Sequence, residues 1–532
     1  MCGILGYFAP DYDLARFQQA LRLVNHRGPY GQGFVSIANG ALGMARLPMS
    51  GNTPAAVPPQ VGLYTAAYNG EVYAPGHQLG DEIESLIAGL QQGAAPDGMY
   101  AIAYWNELSK ELVIYRDSFG IKPLYYIYRP ERELLAFASE IKPLLHLLKK
   151  VSIDRQAVAQ IVSTGVSLDF STLVKDIKLV RPGEKLTFAF TEFGFRLRRT
   201  EQVSVPFFQP GPDTEDLIVQ SINRCRDTFR PTALLVSGGV DSNLLGSFLE
   251  PGFSRFNLAV EGAEEVPNSL DDTTRLFLKE EAFMTTLRSA VSSFGSASRM
   301  TSLVMYQALA DGIGDAGYHS VIVGEGADEI FWGYSRHVDL WQKRHGLTVT
   351  DFAQAWFGNY RQSSLVADKA VREALCEQVE DLARDTLAEG FEKAVMRFDM
   401  DYSLEPLLRR SDHLLMGRTI EARTPFLHAG LPYSVPFERL IEDGHGKAKL
   451  YELLKKRVPT WESRPKKHFR APLVEWKTAQ LEMRTHLKEN LGFLEEAGLT
   501  GVSDSLIDDI DVPQLFTMTT LSIWGQEYGA YL

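Results

Sequence analysis

The chain has 532 residues, 45% of them hydrophobic and 23% charged, an ordinary globular composition at a length that calls for two or more domains. Its net charge of −13 argues against a general nucleic-acid binder, and no apolar run approaches the roughly 18 residues that span a bilayer. The opening MCGILGYFAPDYD carries acid and no basic leader, so no secretory signal is expected. The three scattered cysteines, Cys2, Cys225 and Cys376, form neither a zinc set nor a disulfide framework, which fits a cytoplasmic protein.

In chain order, CGILGYF at 2–8 reads as a strand, and ARFQQALRLVNHRGP as an amphipathic helix stopped at Gly-Pro. ALGMARL, LYTAAYNGEVY, YAIAYWN, ELVIYRD, LYYIYR and LLAFAS follow as buried or half-buried strands separated by turn signals. Hairpins with helices between them predict sheets sandwiched between helical layers. EQVSVPFFQPGPDT at 201–214 holds three prolines and no helical period, so it reads as a linker between domains at 1–205 and 206–532. Beyond it TALLV, FNLAV and SVIV alternate with helical stretches such as MYQALADGI, the pattern of a parallel α/β sheet. From about residue 335 onward the chain reads as mostly helical, with no repeat of fixed period.

The run Leu235-Val236-Ser237-Gly238-Gly239-Val240-Asp241-Ser242 joins a buried strand to a helix. Its glycines permit close backbone approach. Free amides, the positive helix end and the Ser237 and Ser242 hydroxyls make an anion cradle suited to ATP phosphates. Asp241 suits Mg2+ rather than phosphate. A bare Gly-Gly turn is more often empty, but the full string after a buried strand is far more specific. Gly324-Glu325-Gly326-Ala327-Asp328-Glu329 follows SVIV in the same manner, so both loops fall at the carboxyl ends of strands, where open α/β sheets bind ligands. Asp328 reads as a second Mg2+ ligand and Glu325 as a catalytic carboxylate. Gly312-Ile313-Gly314-Asp315-Ala316-Gly317 matches GxGxxG but follows a helix and precedes a strand, so it reads as a loop and not a dinucleotide site. Basic residues from Lys447 through Lys455, Lys456 and Arg457 to Arg470 read as a solvated face. The exception is the punctuated string Arg464-Pro465-Lys466-Lys467-His468-Phe469, where a lysine could meet the departing pyrophosphate.

Cys2 follows the initiator Met and precedes Gly3. Removal of Met1, which a small second residue permits, would leave an α-amine of pKa ~7.7–8.0 as base to its own thiol. The full set of motifs closely resembles the glutamine-hydrolysing asparagine synthetase family: MCGI, HRGP at 26–29, ARL at 45–47, YNGEVY at 68–73, RDSFGIKPLYY at 116–126, ASEIKPLL at 138–145, SGGVDS at 237–242, GEGADEIFWGY at 324–334, EARTPFL at 421–427 and RPKKHF at 464–469. The resemblance implies an α/β protein with an N-terminal αββα sandwich of the N-terminal-nucleophile (Ntn) hydrolase type. A C-terminal parallel-sheet α/β ATP-pyrophosphatase domain with added helices would follow it. It makes Cys2 the nucleophile and Asn69 and Gly70 the oxyanion-hole donors. Arg46 would bind the glutamine carboxylate, and Asp81 its ammonium, with Glu71 nearby. Ser237, Gly238, Gly239, Asp241, Ser242, Gly324, Glu325, Asp328 and Lys466 would fall at nucleotide, magnesium and catalytic positions, and the backbones of Val236 and Val260 against adenine. ATP and Mg2+ are the implied cofactors; glutamine and a carboxylate acceptor are the implied small-molecule partners. Neither nucleic acid nor membrane is expected, and a homodimer is left open.

The chain departs from the family pattern where HRGPD reads HRGPY with Tyr30, where LPMSGNTP follows Arg46, and where His428 replaces the acid after PFL. A shortening before Asp81 makes its alignment the weakest of the set. Residues 261–300, between the two ATP loops, match poorly and are expected to border the acceptor pocket. The acceptor is therefore either aspartate or a specialised biosynthetic carboxylate. The rival reading is an ATP-dependent cyclase of the β-lactam synthetase type with a vestigial glutaminase; a non-catalytic scaffold is the third.

Overall fold

The computed structural model describes residues 2–49, 57–73, 79–148, 150–203, 213–262, 273–362, 365–366, 368–432, 434–462 and 471–532. Two antiparallel sheets occupy the first part. One runs in the order Ile177–Leu179, Tyr125–Arg129, Leu134–Ala138, Cys2–Phe8, Gly40–Arg46, Gly31–Ile37; the other runs Gly194–Gln202, Glu184–Thr191, Glu111–Arg116, Gly98–Asn106, Tyr64–Val72, Gln60–Val61. Strand periodicity assigns the faces. Ile4 and Phe8 point between the sheets and meet Ala101, Ala103 and Trp105 of the opposite sheet. Leu5 and Tyr7 point the other way, to Phe17, Ala20 and Leu21 of helix Leu14–Arg22 and to Leu144 of helix Ile141–Leu148. On the far side Tyr100, Ile102 and Tyr104 bury against Ile83, Leu86 and Leu90 of helix Leu79–Gln91. The layers are therefore helix, sheet, sheet, helix, as expected for an αββα sandwich.

The second part is built on a parallel sheet, in the order Thr273–Leu278, Arg255–Val260, Thr232–Leu235, Ser320–Ile322, Glu421–Arg423. Helices dominate the chain after 335, ending in Val512–Tyr528. Among the described residues, no helix is long and apolar enough to cross a membrane. The GxGxxG string is not a loop as expected: Gly312 and Gly314 lie in the last turn of helix Ser302–Asp315, where Ala316 caps it. Most of the proline-rich stretch 201–214 lies outside the described residues.

Several family motifs prove to build the seam between the two parts. Arg27 of HRGP is fully buried. Its Nε donates to the Cys2 carbonyl at 3.3 Å, its Nη1 to Glu140 at 3.0 Å and its Nη2 to Asp412 at 2.6 Å. Burial alone would raise the pKa of Glu140, but His26 and Arg27 outweigh it and hold the carboxyl far below its ordinary range. In RDSFGIKP, Asp117 accepts from the amides of Phe119, Ile121 and Lys122, and buried Arg116 donates to the carbonyls of Lys122, Val180 and Gly120. Arg116 also reaches Glu405 across the seam at 3.3 Å. Tyr30, where the family has an acid, lies under the Arg230 guanidinium at 3.9 Å and beside His319, again bridging the two parts. Replacing Arg27 strands two buried carboxylates. Arg27→Met is therefore expected to lose about 3–5 kcal/mol of stability, read as a fall in urea midpoint without a change in slope.

Candidate active sites

Cys2 begins the central strand of the first sheet and pairs in register with Arg46. Both side chains are nearly buried. On the facing sheet, Asn69 lies two residues after Ala67 and so shares its inward face. Asn69 is fully buried, and its Oδ1 accepts from the Cys2 backbone N–H at 3.0 Å. Its Nδ2 has no partner among the described residues. A buried donor left without a partner costs about 1–3 kcal/mol and is the kind of group a ligand oxygen satisfies. Gly70 has φ +143°, and a Cβ there would stand 2.1 Å from the Met99 carbonyl oxygen, so only glycine fits.

Asp81 was expected at the substrate ammonium, with Glu71 nearby. Glu71 is bound to Arg423 of the parallel-sheet part at 2.7 Å. Asp81 is exposed on the first turn of helix Leu79–Gln91, whose amphipathic pitch turns its neighbour Glu82 inward instead. The Tyr68 hydroxyl donates to Glu82 at 3.3 Å. Desolvation, and then the negative charge of Glu71, push the Glu82 pKa up to about 8. A carboxyl whose folded pKa lies above its ordinary value costs stability as pH rises between about 4.5 and 8. Glu82→Gln is expected to flatten that decline in urea midpoints measured across this window.

In the second part the SGGVDS and GEGADE loops leave adjacent strands, since Thr232, Ala233 and Leu234 pair with Ser320, Val321 and Ile322. Ser237 and Ser242 hold the first loop closed: the Ser237 amide donates to Ser242 Oγ at 3.2 Å, and Ser242 Oγ donates to the Gly239 carbonyl at 3.3 Å. Gly238 takes φ +79°, and Gly239 caps helix Val240–Ser247. The Val236 amide bonds Phe256 and its carbonyl accepts from Asn257, so this backbone is already engaged within the sheet; Val260 ends the neighbouring strand. Gly324 lies next to Asp241, whose Cβ would be 3.4 Å from an added methyl.

Asp241 and Asp328 converge on one cation. The Lys447 ammonium lies 2.7 Å from Asp241 Oδ2 and 2.9 Å from Asp328 Oδ1. Lys447 was expected on a solvated face; instead it is 4% exposed, and only Lys455, Lys456 and Arg457 occupy the outer end of helix Ala448–Arg457. Burial would lower the Lys447 pKa, but the two carboxylates outweigh this and raise it. Gly333 packs on the pair, a Cβ there falling 2.2 Å from both Asp328 Oδ1 and Lys447 Cε. Two carboxylates that gather around a positive charge fit Mg2+, which keeps waters and takes its other oxygens from substrate phosphates. No group of three or more metal-ligating side chains gathers among the described residues.

Glu325 is also held. Its Oε1 accepts from Ser411 at 2.8 Å, from Arg410 at 3.1 Å and from the Tyr306 hydroxyl, while its buried Oε2 has no partner among the described residues. Arg410 lies 3.8 Å from the centre of the Tyr306 ring and donates to Ser302 at 2.6 Å. Tyr306, Arg410, Ser411 and Lys447 were missed in the sequence. Only Lys447 had a local signal, the Gly444-His445-Gly446 string before it, in which a Cβ on Gly446 would strike the Trp332 carbonyl oxygen. The expected Lys466 and its whole string lie outside the described residues, as do residues 263–272 of the acceptor segment. Lys447→Met is expected to lower the melting temperature by leaving two carboxylates face to face, with added Mg2+ restoring more of it than Mg2+ adds to the parent.

The asparagine synthase model matches residues 213–509, more than half of the chain, and the glutamine amidotransferase domain model matches 1–86 and 86–196. The chain is 27% identical over 389 residues to the glutamine-hydrolysing asparagine synthetase 1 of Bacillus subtilis (strain 168), covering 63% of this chain and 59% of that one. Asparagine synthetase 3 of the same organism is 26% identical over 531 residues, covering 86% and 85%. The chain thus spans less than two thirds of the first relative and most of the second. The "Amidase chry2" of Gibberella zeae is 25% identical over 375 residues, covering 60% and 55%. Among solved structures, the glutamine phosphoribosylpyrophosphate amidotransferase of B. subtilis with ADP and GMP is similar at TM-score 0.25 and 14% identity, over 44% of this chain and 61% of that one. A likeness that slight adds nothing to the fold read from the sheets. On the extent of the first match, the chain belongs to the asparagine synthase family.

Proposed function

We propose that this protein takes ammonia from glutamine in residues 1–205 and uses it in 206–532 to amidate a carboxylate activated by ATP. One observation carries the reading: a single chain assembles both a buried Cys2–Asn69 pair and, elsewhere, two carboxylates gathered at the ends of adjacent parallel strands. In the first half-reaction the Cys2 thiolate attacks the amide carbon of glutamine. Asn69 Nδ2 and the Gly70 amide receive the oxyanion, ammonia leaves, and water releases glutamate from the thioester. Arg46, paired with Cys2, is assigned to the substrate carboxylate, and Asp81 with Glu71 nearby to its ammonium.

In the second half-reaction an acceptor carboxylate oxygen attacks the α-phosphorus of ATP and pyrophosphate departs. Ammonia then attacks the acyl carbon and AMP departs. The SGGVDS loop cradles the phosphates. When bound, Mg2+ would be held by Asp241 and Asp328 and neutralise charge on the phosphate chain. Lys447, which lies between these carboxylates, and Lys466 are assigned to the negative charge of the phosphates. Glu325, fixed by Arg410, Ser411 and Tyr306, takes the proton that the attacking ammonia must shed.

The acceptor is aspartate or a specialised carboxylate. Relatives at 27% identity or less, an amidase among them, support leaving the class that wide. A screen of carboxylates read by AMP and pyrophosphate is expected to find one acid amidated with either glutamine or ammonium as donor. Cys2→Ala should abolish the glutamine-dependent route and spare the ammonium-dependent one. Product that forms in Cys2→Ala with no ammonium added would replace this reading with the ring-closing one.

A further inference from the structure

Arg46, assigned above to the glutamine carboxylate, ends the strand Gly40–Arg46. Its backbone is fixed by the sheet, paired with Cys2 on one side and with Gly31 on the other. The sheet does not fix the segments that leave it there. Leu47, Pro48 and Met49 belong to no strand or helix, and Tyr30 stands just before the strand Gly31–Ile37. Both are places where the chain departs from the family pattern, in HRGPY and in the LPMSGNTP that follows Arg46. The fold brings these two departures to one side chain of the other half. Arg230 Nε donates to the Pro48 carbonyl at 2.9 Å. Its guanidinium carbon lies 3.9 Å from the centre of the Tyr30 ring and 5.2 Å from that of Phe229. The residues before Arg230 hold the next carbonyl: that of Met49 accepts from the Thr228 hydroxyl at 2.8 Å and from the Phe229 amide at 3.2 Å. Tyr30 is tied to the same turn, its amide donating to the Arg46 carbonyl at 3.2 Å. Shortly after Arg230 begins the strand Thr232–Leu235, so the grip is rooted in the parallel sheet.

We propose that Arg230 is a positioning residue for glutamine binding, supplied by the synthetase half: it pins Tyr30 and Leu47–Met49 beside Arg46, and these hold the guanidinium that meets the substrate carboxylate. The inference rests on the amidotransferase reading. An arginine side chain turns about several single bonds, so a paired strand fixes its backbone but not its far end; the segments beside it must do that. A planar guanidinium can donate to a carbonyl and stack on a ring at once, which suits Arg230 to two segments that share no hydrogen-bonded strand. Side chains ordered before the ligand arrives lower the cost of binding, so the effect belongs in affinity and not in the chemistry at Cys2.

The test is Arg230→Met, which removes the donor and the charge but leaves an apolar side chain against Tyr30, alongside Arg230→Lys, which keeps the charge and loses the fork. Expected for Arg230→Met are a rise of roughly five- to twentyfold in KM for glutamine and a change of under about twofold in kcat. Ammonium-dependent amidation should stay at the parent rate, and Arg230→Lys should fall between the parent and Arg230→Met. Tyr30→Ala serves as the second variant, since Tyr30 is 54% exposed and its loss does not threaten folding. It removes the stack and spares the Pro48 bond, so its KM should rise by a smaller factor, about two- to fivefold. A parent KM in both Arg230→Lys and Tyr30→Ala would overturn the proposal. So would equal loss of the glutamine- and ammonium-dependent rates, which would make the contacts merely structural. The two levels separate in the same series: a parent that forms no product from glutamine sinks the amidotransferase reading itself, whereas one that does, with variants of unchanged KM, sinks only the role of Arg230.

Discussion

The architecture depends on buried guanidinium groups laid across the seam between the two parts. Arg27, Arg116 and Arg423 are each fully buried, and each donates to backbone or carboxylate oxygens of both parts. A charge taken out of water is tolerated only if nearly all its donors are met, and a guanidinium offers five in a fixed plane. Satisfying them fixes distance and angle together, which an apolar interface alone does not. The apolar cluster outside the first sheet also runs on from Leu5 and Phe17 to Leu414 and Trp524 of the second part. The two parts share a core, and the arginines set its register.

The same rule is applied in reverse at the ATP side. Asp241 and Asp328 are like charges brought together by adjacent strands, an arrangement that repels unless a cation sits between them. The Lys447 ammonium fills that place, reaching in from a residue of φ +60° that two flanking close contacts, at Gly333 and Gly446, hold against Phe331 and Trp332. The carboxylates are thereby already oriented, so on the proposed reading Asp241 and Asp328 would hold Mg2+ with little reorganisation of the site.

Legibility in the sequence followed how local the physics is. The strands bearing Cys2 and Asn69, and the strand that leads into the GEGADE loop, were readable because period-2 patterning and strand-ending glycines are local signals. The layer order followed for the same reason. That Glu82 is buried and Asp81 exposed was not legible, because one residue on a helix, about 100° of turn, decides which carboxylate faces inward. Lys447 was hidden in a basic run, where composition predicts a wet face and only long-range packing against Gly333 removes the water. Arg423 and Glu71 are far apart in sequence, and no periodicity in either strand announces the other.

HRGP, RDSFGIKP, ASEIKP and EARTPFL marked the family most clearly, yet several of their side chains build the seam: Arg27, braced by Glu140, with Asp412, Arg116 with Glu405, Arg423 with Glu71. A seam has many mutual partners, so no member changes without stranding another buried charge, and its sequence is constrained as a set. The wall around Glu325 is under a different constraint. Helix Ser302–Asp315 supplies Ser302 and Tyr306, and Arg410 and Ser411 come from helix Glu405–Met416. Tyr306, Arg410 and Ser411 hold Oε1 of Glu325, Ser302 braces Arg410, and the buried Oε2 has no partner among the described residues. On the proposed reading, a chain could keep its nitrogen source and its ATP chemistry while this wall altered which carboxylate it admits. The poor family match at 261–300, which leads directly into that wall, falls where such freedom exists.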